Sequence, residues 1–371
     1  MSDPGTARAW GWVAHLRDGG TTPWRSWAGT AEPAAPFLPG AQQLELLRLL
    51  NDVRPVSPAL AGQVLAADPP RRHRPALPLT GGAPVPDHGP RPVDPVDLPA
   101  EELAELAAVV LAQRLSTVTP PRPRVGRRRP WAVRYHLHGD PELARDVRRH
   151  LVAHGRPPAP HGGRVIVMAA DAGRMLTDLW THAALGGGIV PWSEWWAQRV
   201  VRDRLPVRAD VLRSAQAGLA IPGARGVHVV TDPALAPRLA GLRRPLPPPP
   251  TYAAAAVDLG RRVVGALRPV VPPETRHAVV GEVLRPMLAT IDGPPLVVPP
   301  AHRAWVDEHA TQVLARIHAA PRRYPVHGDP ERLLRVDRPG AETVRPRDTL
   351  AAGIRLLLTE TGPTGRAEEE S

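Results

Sequence analysis

Between Trp131 and Asp232 the chain alternates short apolar runs with longer amphipathic ones, and this alternation limits the possible fold more than any other feature. RVIVMAA (164–170) is a nearly continuous apolar segment of strand length, and AVRYHLH (132–138) and GVHVVT (226–231) have strand character too. A helical signal follows each one. DPELARDVRRHLVAHG ends at Gly155, DAGRMLTDLWTHAAL runs into Gly186, Gly187 and Gly188, and Asp232-Pro233 opens a further turn. Apolar strands separated by helices belong in a parallel sheet covered on both faces. The expected fold is α/β: a parallel sheet flanked by helices, of P-loop or Rossmann-like architecture, with right-handed crossovers between neighbouring strands. YPVHG (324–328) reads as one more strand and turn.

The rest of the chain is organised around this region. Residues 1–75 form a Trp-rich helical extension, with Trp10, Trp12, Trp24 and Trp27 beside one clear helix, AQQLELLRLLN. Those indoles are expected to pack against the body of the protein. Residues 76–130 hold Pro-rich seams around a helix at 98–116, whose carboxylates lie in its first turn, where the helix dipole favours them. The α/β domain is expected over 131–340, with a largely helical later part. A short helix and a disordered acidic tail are expected over 341–371.

The chain has no cysteine, and all 47 of its basic Lys/Arg positions are arginine. This excludes disulfides, thiolate metal sites, Schiff-base lysines and the phosphate-gripping lysine of a P-loop. The sequence calls for no cofactor and no metal. Residues 131–250 hold 16 arginines against nine acids, +7 of the net +11, so an anionic small molecule is a natural partner. A protein partner is the other expectation. Nucleic acid is a rival reading, through the RPRVGRRRP seam with Arg122, Arg124, Arg127, Arg128 and Arg129. No run is long and apolar enough for a membrane span, and no signal-peptide pattern opens the chain; a cytoplasmic location is expected.

In an open α/β sheet, ligands settle beyond the carboxyl ends of the strands. The residues there are His138, Gly139 and Asp140, then Asp171, Gly173 and Arg174, then Thr231 and Asp232. By position alone His138 is the candidate general base, and Gly139, Asp171 and Arg174 are the candidate ligand contacts. The three aspartates are expected to be helix caps rather than metal ligands. The string His-Gly-Asp-Pro-Glu occurs twice, at 138–142 and 327–331, and in both copies Asp-Pro-Glu is a strong helix start. Trp192, Trp195 and Trp196 share a helical face and are expected in the core.

YHLHGDPELARDVRRHL and VVPPAHRAWVDEHATQVLARIHAAPRRYPVHGDPERLL together make residues 131–336 resemble actinobacterial sulfotransferase-like proteins, in element order more than in motif. The resemblance implies a parallel sheet of P-loop type, with a phosphosulfate loop after the first strand. That loop normally presents Lys-Thr/Ser-Gly-Thr. Here the positions are Asp140, Pro141, Glu142 and Leu143, so the resemblance implies a degenerate relative that binds or scaffolds. An active member would transfer a group onto a hydroxyl, with arginines stabilising the transferred anion.

Overall fold

The computed structural model describes residues 3–359 except 36, 68–75, 83–87, 123, 128–130 and 201–203. Helices α1 (Pro4–Arg17), α2 (Ala41–Val53), α3 (Pro58–Ala66) and α4 (Ala100–Ser116) come first. The alternating region follows as β1 (Tyr135–Gly139), α5 (Pro141–Ala153), β2 (Gly163–Met168), α6 (Ala172–Leu185), α7 (Trp192–Val200), α8 (Val211–Leu219), β3 (Ala224–Val230) and α9 (Ala236–Leu239). Then come α10 (Ala254–Leu267), α11 (Pro273–Val279), α12 (Arg285–Leu288), α13 (Pro300–Ala319), the short β4 (Val326–His327) and α14 (Pro346–Leu358). Of the basic seam, Arg128 and Arg129 lie outside the described residues, as does the acidic tail after residue 359.

The chain divides into two compact units. The first comprises Met1–Thr119, Asp258–Val279 and Arg345–Ser371, so later helical segments join the N-terminal region. Their link is a buried polar network. Asp258 on α10 receives Arg262 Nε at 2.8 Å, Arg261 Nη2 at 2.7 Å and the Thr349 hydroxyl of α14 at 3.2 Å, while Arg262 also pairs with Glu105 of α4. The N-terminal tryptophans pack within this unit. Trp12 and Trp24 are buried with ring centroids 5.3 Å apart, and their indole N–H groups donate to the Thr22 and Thr80 carbonyls.

The second unit, Pro120–Val257 with Val280–Val344, contains the sheet. Its strand order is β1-β2-β3-β4, with all pairs parallel, as the alternation requires. Val165, Val167, Val227 and Val229 face a core with α6, α7, α8 and α13. Tyr135, Leu137, Ile166, Met168 and Val230 face a second core with α5 and α9. The sheet is thus covered on both faces. The β1–β2 connection lies on one face and the β2–β3 connection on the other, although the strands advance in the same direction. The two crossovers therefore have opposite hands, which corrects the expectation that both are right-handed.

Trp192, Trp195 and Trp196 are core residues, with Trp192 and Trp195 stacked at 5.5 Å and Trp180 edge-on to Trp192 at 5.3 Å. The repeated His-Gly-Asp-Pro string terminates the two edge strands. Gly139 (φ 84°) lies so close to β2 that a Cβ would stand 2.1 Å from the Met168 carbonyl oxygen, and Gly328 (φ 108°) would meet the Thr231 hydroxyl at 2.5 Å. Only glycine combines that backbone with that approach. His138 pairs in register with Val167, whereas His327 falls in the Val230 row, one residue further along. The two histidines therefore point to opposite faces of the sheet.

Candidate functional site

Each helix that leaves a strand end begins on an aspartate. Asp140 Oδ1 accepts from the Glu142 and Leu143 amides at 3.0 Å, Asp171 Oδ1 from the Arg174 amide at 3.0 Å, and Asp232 Oδ1 from the Ala234 amide at 3.1 Å. These are the caps expected from sequence. Among the described residues no group of three or more His, Asp or Glu is arranged to hold a metal.

Two of the capped helix starts, α5 and α6, open onto a cavity of about 250 Å³ in the second unit. Asp171, Gly173 and Arg174 line it, together with Glu142, Asp178, Tyr252, Arg335 and Arg338. Its charges are closely matched. Arg285 grips buried Glu142 in a bidentate pair at 2.5 and 3.0 Å, and Arg145 stands 3.2 Å from the same carboxylate. Arg174 Nε donates to Asp178 at 3.1 Å, and Arg338 stands 2.9 Å from Asp171 Oδ2. His182 Nδ1 lies 3.2 Å from Glu142 and its Nε2 lies 3.1 Å from Arg208.

One acid lacks such compensation. Asp140 is fully buried, and its Oδ2 has no hydrogen-bond donor. Burial, and then the neighbouring Asp178 charge, push Asp140 well above the ordinary carboxylate range. Half-buried Asp178, which lines the cavity, is pushed up to about 6 by burial and by Glu142, against the opposing pull of Arg174. Two carboxyls in this relation titrate together, and the proton they share stays on Asp140, the more strongly raised of the two.

The four positions expected from sequence separate in space. Asp171 and Arg174 line the cavity. Gly139 serves the backbone crossing over Met168. His138 lies on the other side of β1, under α8, where a Cβ on Gly218 would stand 3.1 Å from its ring, and it is not among the residues that line the cavity. Burial, then His136 and Arg208, hold its imidazole below the ordinary histidine range. Sequence reading passed over Asp178, although it follows Arg174 by four residues on one helical face and pairs with it there. Tyr252 and Arg285 come from segments with no local signal. Compared with protein-family models, with curated proteins and with solved structures, the chain finds no significant match in any of the three. Among the described residues no helix is long and apolar enough to cross a membrane.

Proposed function

We propose that the second unit binds a small, neutral, hydroxyl-bearing molecule in the cavity at the carboxyl end of its sheet, as a non-canonical relative of sulfotransferase-like proteins that does not take a phosphosulfate donor there. The observation that carries this reading is the Asp140 cap. The amides at the start of α5, where a phosphate would sit in a P-loop architecture, are already occupied by a carboxylate of the chain itself. A second anion would meet Asp140 and Glu142 at close range. The cavity, about 250 Å³, is also smaller than the roughly 300–1,000 Å³ of drug-sized ligand sites, too small for a nucleotide donor. Its arginines are engaged by carboxylates, so its wall offers alternating donors and acceptors with little net charge, which suits hydroxyl groups.

A catalytic reading is favoured by one specific feature, the Asp178 carboxyl near pH 6. The ionised carboxylate of such a group can accept a proton from a hydroxyl bound against it, so Asp178 takes the general-base role that position alone gave to His138. Calorimetry with a panel of monosaccharides and polyols against an adenosine phosphosulfate donor tests the proposal. A hydroxyl-bearing ligand should bind, and Asp178→Asn should weaken it by about tenfold or more, since a hydrogen bond to a charged group is lost. Tight donor binding that depends on residues 139–143 would overturn it.

A further inference from the structure

We propose that the amino end of the same sheet carries an independent binding site for a small ligand with two or more phosphate groups. A groove of about 680 Å³ lies there, lined by Arg134, Arg164, Arg225, His161 and His228 with Gly162, Gly163 and Gly223. Among the described residues no carboxylate lines it. This sets it apart from the cavity at the carboxyl end, where each arginine faces an acid. Among the described residues none of its three arginines forms an ion pair, and one Arg164 N–H donates to the Leu239 carbonyl at 3.3 Å. Unneutralised guanidiniums held together at a protein surface create the field that attracts an oxyanion.

The sheet places these groups. Arg134 immediately precedes β1, Arg164 is the second residue of β2, and Arg225 is the second of β3. The Arg164 amide donates to the Arg134 carbonyl at 2.9 Å, and Gly163 pairs in register with Ala224. Three neighbouring strand ends span about 10 Å, a width that long guanidinium side chains can close on a di- or triphosphate. Gly162 (φ 61°) and Gly223 (φ 75°) turn the chain without side chains and leave the floor open. The Gly162 and Gly163 amides are not anion donors, being spent on the Pro222 and Gly223 carbonyls at 3.0 and 3.2 Å. The phosphate contacts therefore fall to the arginines. Burial, then His327 and Arg164, hold His228 below the ordinary histidine range, so His228 adds no charge to the guanidiniums at neutral pH.

A short groove that, among the described residues, has three guanidiniums and no Trp, Tyr or Phe in its lining suits a short polyphosphate better than a nucleic-acid strand, which wants large stacking surfaces along a longer track. The site takes up three of the seven arginines by which residues 131–250 exceed their acids. The test is calorimetry on the full chain at low ionic strength with inorganic pyrophosphate, inorganic triphosphate and a short single-stranded oligonucleotide. Pyrophosphate or triphosphate should bind, more weakly as salt rises, and the R134Q/R164Q/R225Q variant should lose about tenfold or more of that affinity. All three side chains are exposed, so the variant should keep its melting temperature, and R134K/R164K/R225K should retain part of the binding. The proposal fails if neither phosphate binds, if the glutamine variant binds as well as the parent, or if only the oligonucleotide binds.

Discussion

Asp258 in the first unit and Asp178 in the second are both helical aspartates beside an arginine four residues away, yet they titrate in opposite directions. Around Asp258, burial opposes ionisation, but Arg261 and Arg262 outweigh it and hold the carboxyl below its ordinary value; the Thr349 hydroxyl adds a donor. Around Asp178, burial and then Glu142 outweigh the pull of one arginine and of a hydrogen bond with Asp140, and the carboxyl rises to about 6. The number of donors and of neighbouring acids decides the outcome, not burial alone. Asp258 is a permanently charged structural node. Asp178 can exchange its proton near neutrality, a property useful in a ligand cavity and of no use in a core.

The sharpest way to break this contrast is to remove the arginine from each pair. Arg262→Met strips Asp258 of a buried partner and should cost about 3–5 kcal/mol in denaturant unfolding. Arg174→Met should cost at most about 1.4 kcal/mol at pH 7, because Asp178, already near 6, escapes by taking a proton. Equal losses would show that the two sites do not differ as described. A smaller effect follows from pH. The folded value of Asp178 lies above its unfolded one, so its favourable contribution is complete below about pH 4 and is lost as pH rises through about 6. Asp258 has the opposite sign: its contribution is present at neutral pH and is lost as pH falls through its lowered value. Hydrogen exchange followed by peptide should show α6 better protected at pH 5 than at pH 7, with the difference reduced in Asp178→Asn. No change in α6 between the two pH values would contradict the raised Asp178. The mildest change is Thr349→Val, which removes one donor from Asp258 while its arginines remain. About 1 kcal/mol of destabilisation is expected, and a loss as large as that of Arg262→Met would mean that the hydroxyl, not the guanidinium, holds the charge.

The elements that could be read from sequence are those with local causes. Apolar strands at 164–170 and 226–231 and the Asp-Pro-Glu helix start at 140–142 follow from period, capping and proline geometry, and so do the parallel sheet and the aspartate caps. The Trp192, Trp195 and Trp196 face could be placed in the core for the same reason. The grouping of Asp258–Val279 with the N-terminal helices, the opposite faces taken by the first two crossovers, the coupling of Asp140 to Asp178 and the pairing of Glu142 with Arg285 all depend on contacts between distant segments. His138 shows the limit most clearly. Its place after a strand made it a candidate, but the pleat turns it under α8, while Asp178, which carries only an ordinary i,i+4 ion-pair signal, reaches the cavity. Side-chain alternation and capping are short-range and are written in neighbouring residues, whereas burial, unmatched charge and shifted protonation arise only when distant groups are brought into one low-dielectric space.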